Sequence, residues 1–384
     1  MSQQFNQLQF VVAEENDIRD IGTKAAPVGV PPIDNGMWLQ GDNLTFEDLI
    51  EANNKFEAFK TDHDELHCTN LRLDPQGGFT INGDGYFGQN YGIEDHALKQ
   101  LCQRLGYGDV DQAIPYKYAR ALIDNYPAQY SEILAGHAAG YGKSVFVRTY
   151  ADQIRGYMSD RFTHIDHKDI LDLITGPLSE KYGQYELVRP YIGRDSMTVR
   201  ITLKDYNIEG GDVGGSGNSV YGVGVVIRNG EKGNTSQGVY PFIQRTSCTN
   251  STVWQEGGLT IRQNGHREVK LTQLAAGIYG ALQASHEMLK RHLDQRVQKL
   301  PTIDSVIEKM ADAYGWSEAV QMNVGIGTEG ERTMSGLMNG ITYAAHKATG
   351  ENAEAGFELE SLAGRLSAAG IEYVSSQYGR LVTA

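Results

Sequence analysis

Apolar residues change their spacing several times along the chain, and each change marks an element. Residues 1–44 have little periodicity and include Pro31, Pro32 and several glycines, so they read as an irregular arm. From Thr45 the spacing becomes helical: Thr45 can cap, Asp48 sits three residues on, and Phe46, Leu49 and Ile50 form an apolar stripe. Strands or turns follow through LHCTNLRLDPQGGFTINGDGYF. Leu98, Leu101, Cys102 and Leu105 then recur at i, i+3, i+4 and i+7, with Gly106 ending that helix, and short helices are expected around 115–135. Asp166 caps a further helix carrying Ile170, Leu171, Leu173 and Ile174, which Gly176 and Pro177 stop. The period then drops to two in LVRPYI, MTVRITL, VYGVGVVI and VYPFIQRTSC, separated by the glycine-rich turns GGDVGGSGNS and RNGEKGN. A long helix is expected over about 271–300, with more helix beyond it. The order predicts an α+β fold: an arm (1–44), a core with an antiparallel meander followed by a long helix (45–300), and a helical C-terminal region (301–384).

One stretch alternates chemically as well as by hydropathy. In VFVRTYADQIRGYMSDRF (145–162), arginine and tyrosine return at every second position. Joined as two strands at Asp152 and Gln153, it sets Tyr150 opposite Arg155 and Arg148 opposite Tyr157. Phe146, Arg148, Tyr150, Arg155, Tyr157 and Arg161 would then share one face, and Val145, Val147, Thr149, Gly156 and Met158 the other. If the first face lines a groove, aromatic rings there stack on unpaired bases for about 1–3 kcal/mol per base while guanidinium groups take phosphates. Arg194, Arg200 and Arg245 on the following strands would extend such a groove. The same letters also describe a packed sheet face whose cation–aromatic pairs contribute about 0.5–1 kcal/mol each.

Charge sharpens this choice. The net charge is -14 over 384 residues, but it is unevenly placed: residues 1–139 hold 9 basic and 21 acidic side chains, 140–300 hold 20 and 16, and the remainder is acidic. A basic middle between acidic flanks permits a local polyanion site. The three cysteines, Cys68, Cys102 and Cys248, are too few and too scattered for a disulfide framework or a four-cysteine zinc site. No apolar run approaches the roughly 20 residues of a membrane span, and MSQQFNQLQF lacks the regions of a signal peptide, so a cytoplasmic protein without membrane contact is expected.

Motifs for catalysis are incomplete. Gly142-Lys143-Ser144 ends like a phosphate-binding loop, but His137 stands where the loop needs its first glycine, and a helical segment precedes it. HDELH (63–67) resembles the zinc-protease motif with Asp64 for glutamate, yet it runs into a β-like stretch that would hold the two histidines about 13 Å apart. THIDHKD (163–169) offers His164, Asp166, His167 and Asp169 to a metal, or simply a helix cap with exposed neighbours. Cys248 has no identifiable base. No catalytic set, cofactor or metal site is therefore assigned, and a binding protein is expected.

The segment VRTYADQIRGYMSDRFTHID resembles the signature of a phage and plasmid family known as domain of unknown function nine-three-two. DHALKQLCQRLGY (95–107), GVGVVIRNGEKGN with VYPFIQRTSCTN (222–250) and MNGITYAAHKA add to it. The family pattern has arginine-proline where this chain has Thr163 and His164, and glycine where it has Ser251. The resemblance implies a mobile-element protein of a bacterial host. The strands-then-long-helix order is also similar, at the level of element order alone, to single-strand annealing proteins. The expectation is a homo-oligomer that binds single-stranded DNA for annealing or protection. The alternatives are an acidic, non-enzymatic protein that engages a host factor, and a metal-dependent nuclease using His164, Asp166 and His167.

Overall fold

The computed structural model describes residues 38–40, 44–82, 90–105, 116–175, 185–203, 208–212, 218–233, 237–245, 252–255, 259–260, 267–300, 302–349 and 353–378. The fold is α+β, as the spacing predicts. After a short strand β1 (Trp38–Gln40), Thr45 opens α1 (Phe46–Glu57) through a reciprocal cap. The Asp48 amide donates to Thr45 Oγ1 at 3.2 Å and the Thr45 amide donates to Asp48 Oδ2 at 2.8 Å. Then come β2 (Lys60–His67), β3 (Leu71–Leu73), β4 (Phe79–Ile81) and β5 (Gly92–Ile93), followed by α2 (Asp95–Leu105), α3 (Tyr116–Asn125) and α4 (Pro127–Tyr141). The hairpin β6 (Ser144–Tyr150) and β7 (Gln153–Ser159) completes a four-stranded sheet in the order β2-β6-β7-β5. One face of that sheet, with Val145, Val147, Ile154 and Tyr157, packs in a common core with Leu98, Leu101, Leu134 and Ala138 of the helices.

After α5 (His167–Leu173), strands β8 (Tyr185–Leu187), β9 (Tyr191–Gly193), β10 (Ser196–Leu203), β11 (Ile208–Asp212), β12 (Asn218–Gly230), β13 (Gly238–Arg245), β14 (Thr252–Gln255) and β15 (Leu259–Thr260) form a larger sheet with β1. Its central path is β1-β9-β10-β12-β13-β14. The LVRPYI stretch divides into β8 and β9 at Pro190, which has no amide hydrogen to give to a ladder. Gly224 lies where β10 and β13 crowd β12: a Cβ there would sit 2.1 Å from the Ile201 carbonyl oxygen and 2.4 Å from the Phe242 ring.

The long helix α6 (Arg267–Gln295) links two cores. Its first half brings Leu274 and Ile278 to Val199, Ile201, Val225 and Ile227, together with Leu49 of α1 and Ile170 of α5. Its second half brings Met288 and Leu289 to Tyr221, Val223 and Ile243. That second core is completed by α7 (Ile303–Tyr314), α8 (Glu318–Gly327), α9 (Met334–Thr349) and α10 (Ala353–Tyr378). Each fully buried leucine, isoleucine or valine contributes about 1.5–3 kcal/mol, so the C-terminal helices and the sheet stabilise one another. No described helix is long and apolar enough to cross a membrane.

Two expectations hold at this level and one changes. HDELH lies on β2, not on a helix, with a pairing irregularity between His63 and Leu66; His63 is buried and His67 is exposed beside Thr69. Gly142 ends α4 in the left-handed conformation (φ 57°) and Ser144 starts β6, so the Gly-Lys-Ser run is a helix-to-strand corner. The hairpin turns at Ala151 and Asp152, one residue earlier than expected, with Ala151 at φ 50°. Pairing then runs Tyr150 to Gln153 and Thr149 to Ile154, shifts by one residue at Arg155, and resumes with Arg148 to Gly156 and Val147 to Tyr157. A one-residue slip exchanges the faces of a strand, which is why Tyr157 joins the helix-covered core while Gly156 and Met158 lie on the Arg148 side.

Candidate functional site

The second face of the β6–β7 hairpin is turned inward, toward the loops of the larger sheet. Six of the eight residues expected on an exposed platform are buried: Arg148, Tyr150, Arg155, Tyr157, Arg200 and Arg245. Their expected exposure is thereby corrected. Tyr150 packs against Phe59 and lies under the Arg194 guanidinium. Arg194 is half-buried against Glu94 (2.7 Å) and Asp195 (2.6 Å). Arg200 pairs with Glu360 of α10 at 2.7 Å, on the far side of the larger sheet. Arg161 alone of the eight is exposed. The physical reason is stoichiometric: for the buried arginines at the hairpin the chain supplies carboxylates from distant segments, so these cations do not need water.

Those carboxylates build an ionic clasp between the two sheets. Arg148 Nε and Nη2 donate to Asp62 Oδ1 (2.7 Å) and Oδ2 (2.8 Å), Nη2 donates to Asp166 Oδ1 (2.6 Å), and Nη1 donates to the Glu231 carbonyl oxygen (2.9 Å). Arg155 Nη1 reaches Asp195 and Glu231, each at 3.0 Å. Lys60 lies 2.7 Å from Glu231, and Lys232 bridges Glu94 (2.9 Å) and Asp195 (2.7 Å). Gly156 lets Lys232 approach the hairpin: a Cβ there would meet the Lys232 Cβ at 3.4 Å and the Met158 terminal carbon at 3.0 Å. Five cations (Lys60, Arg148, Arg155, Arg194, Lys232) thus face six anions (Asp62, Glu94, Asp166, Asp195, Glu231 and, through Lys60 at 2.7 Å, Glu57), so the clasp is balanced to within one negative charge.

Electrostatics follow from that balance. Burial disfavours the charged form of Glu231, but His167 and the cations Lys60, Arg155 and Arg148 hold its pKa well below the usual range. Asp195 is lowered in the same way: against burial, Lys232, Arg194 and Arg155 prevail. Burial works against the charge of Arg148 too, and Glu231, Asp166 and Asp62 overcome it, raising its pKa. His167 is fully buried, which pushes its pKa down to about 4 despite Glu231. Its Nδ1 lies 3.0 Å from the Asn229 amide nitrogen, which also donates to the Ile165 carbonyl oxygen.

One edge of the clasp opens to solvent. Asp62, His164 and Asp166, at 24, 21 and 19 % side-chain exposure, bring one ligand atom each within 4.8 Å of one another. His164 Nε2 is 3.9 Å from Asp62 Oδ2 and 3.8 Å from Asp166 Oδ2, too far for hydrogen bonds. Two ligands of one tetrahedral ion with bonds of about 2.1 Å stand roughly 3.4 Å apart, so a small closure would seat an ion. Arg148 already contacts both carboxylates, but a carboxylate oxygen has a second lone pair for a metal. The His164 ring is held by stacking on Phe146 (4.9 Å between centroids), against which Phe162 also stacks (6.1 Å).

Of the four residues that THIDHKD offered to a metal, His164 and Asp166 converge here, while His167 and Asp169 stand outside the cluster; Asp62 completes it. Asp62, Glu231 and Asp195 had no signal in the sequence as site residues, since each sits beside polar or glycine-rich text that reads as exposed. Cys68 is buried and its thiol donates to the Ala138 carbonyl oxygen, whereas Cys248 lies outside the described residues. No family model, curated protein or solved structure matches the chain.

Proposed function

We propose that the Asp62–His164–Asp166 mouth binds a divalent cation, and that the bound cation recruits the phosphate backbone of single-stranded nucleic acid. The observation that carries this is the convergence of two carboxylates and an imidazole at a partly exposed edge. Asp62 and Asp166 against Arg148 sum to −1, which repels phosphate; a divalent ion changes the sum to +1. A mixed oxygen and nitrogen donor set suits manganese or zinc better than calcium. Annealing or protection of strands by a mobile-element protein fits within this reading, with Arg161, three residues before His164, as an exposed cation for the strand.

A second reading rests on the near balance of charge in the clasp. Because its five cations and six anions nearly cancel, almost all of the net charge of -14 belongs to the rest of the chain. An acidic exterior fits a protein that engages a cationic host partner, with Arg148 and its carboxylates serving only to hold the two sheets together.

A fluorescent single-stranded oligonucleotide and the matching duplex, titrated at low and moderate salt, separate the two. With manganese, the first reading expects single-strand binding that chelator abolishes and His164→Ala abolishes. Binding indifferent to both changes would overturn the mouth as the contact; no binding under any condition would favour the acidic interaction protein.

A further inference from the structure

The segment that carries His164 is held on both sides by side chains from distant elements. Before it, Lys270 in the first turn of α6 donates from Nζ to the Thr163 carbonyl oxygen at 2.9 Å. After it, Asn229 near the end of β12 donates from Nδ2 to the Ile165 carbonyl oxygen at 2.8 Å, and Arg148 holds Asp166. Asn229 belongs to a wider buried network, since its Nδ2 also lies 3.0 Å from His167 Nδ1 and its Oδ1 accepts from Gln237 Nε2 at 2.6 Å. Lys270 differs from it: among the described residues its ammonium has the Thr163 carbonyl as its partner and no carboxylate within ion-pair distance.

Lysine is a costly residue at that position. It is 2 % exposed, so its ammonium gives up hydration, and buried charges are ordinarily paired. It also stands at the positive end of the helix dipole, where a cation is disfavoured. Burial brings its pKa down to about 8. Leucine or methionine would fill the position without either cost. What lysine adds is a donor at the end of a long chain, and amine and ammonium alike can donate to a carbonyl. The carbonyl it reaches belongs to the residue immediately before His164.

We infer that Lys270 is a positioning residue for the cation mouth: by fixing the plane of the Thr163–His164 peptide it sets where the His164 ring stands relative to Asp62 and Asp166. The peptide is planar, so the oxygen that Lys270 holds and the nitrogen of His164 move together. The ring itself is kept by stacking on Phe146, and no hydrogen bond ties it to either carboxylate. That this placement serves a metal rests on the mouth being a cation site; that Lys270 places the ring does not, so the two are read by separate experiments.

The first is modification of the full chain by diethyl pyrocarbonate in chelator, followed at each histidine by mass spectrometry. Lys270→Met is expected to raise the His164 rate several-fold while the exposed His67 and the buried His63 and His292 keep theirs, and Lys270→Arg, which retains a donor, to restore the slow rate. If the methionine variant does not fold, Lys270→Gln, whose donor stops one atom short, carries the same expectation. An unchanged His164 rate, or a rise at every histidine, would overturn the inference. The second is manganese calorimetry on the same proteins. Lys270→Met should weaken binding by about tenfold or more, the usual size for loss of a group that orients a metal ligand, at a melting temperature no lower than that of the parent protein, with Lys270→Arg close to the parent. Equal affinity in Lys270→Met would also overturn the positioning role. Absence of manganese binding in the parent protein would instead overturn the mouth, and the His164 rates would still decide whether Lys270 places the ring.

Discussion

The two buried charge clusters of this protein answer the same problem in opposite ways. Between the sheets, Arg148 and Arg155 are met by Asp62, Asp166, Asp195 and Glu231 at 2.6–3.0 Å. At the far end, Arg296 is met by a tyrosine hydroxyl and an aromatic ring. Both sites take cations out of water, and desolvation is expensive in each. A cluster that supplies its own anions is a structural joint, whereas Arg296 has no carboxylate within ion-pair distance among the described residues and leans on an aromatic side chain instead. The clasp is not perfectly closed: Arg155 Nε and Nη2 have no hydrogen-bond partner, so buried water at its inner edge is expected.

Breaking the clasp should give the largest effect. Glu231→Gln removes the charge shared by Lys60 and Arg155, and loss of one partner from a buried pair costs about 3–5 kcal/mol, which urea unfolding would register as a shifted midpoint at unchanged slope. A loss below about 1 kcal/mol would mean that the clasp is hydrated in solution. Acid is the next lever. His167 and His292 have folded pKa values of about 4 and about 3, below the ordinary 6.5. The unfolded chain therefore gains protons first as pH falls. Stability from these histidines is complete above about pH 6.5 and declines toward pH 4 and 3, by about 1.4 kcal/mol per pH unit for each. The lowered carboxylates Glu231 and Asp195 add to the loss at still lower pH. A flat melting temperature between pH 7 and pH 5 would contradict the burial of both rings.

The uncompensated site should respond with the opposite sign. Arg296→Met replaces a buried charge, with no carboxylate in ion-pair reach among the described residues, by an apolar chain and is expected to stabilise by roughly 1–2 kcal/mol, in the manner of hydrophobic replacements of buried ions. A loss of the size expected for Glu231→Gln would instead reveal an internal partner. The smallest effect belongs to the exposed Arg161: Arg161→Ala should leave stability within about 0.5 kcal/mol while weakening strand binding in manganese.

Much of this architecture was legible because it is local. The Thr45 cap, the 98–105 stripe, the hairpin and the α+β order all follow from spacing within a few residues. The clasp was not, for two reasons. The alternation of arginine and tyrosine does not encode the bulge at Arg155 or a turn at Ala151, and together they move Tyr157 to the opposite face. Asp195 and Glu231 belong to turns between strands, where charged residues ordinarily face water, and only the packing of one sheet on the other buries them. His164 and Asp166 were recognisable as ligand types, but Asp62, about a hundred residues earlier, had no pattern linking it to them.

The central functional claim is that the mouth takes a divalent ion. Titration calorimetry of the full chain with manganese, beside His164→Ala, tests it most directly because His164 lies at the rim and its loss leaves the Arg148 pairs in place. One saturable site per chain, lost in His164→Ala, is the predicted result; no saturable heat, or the same site in both proteins, would contradict it.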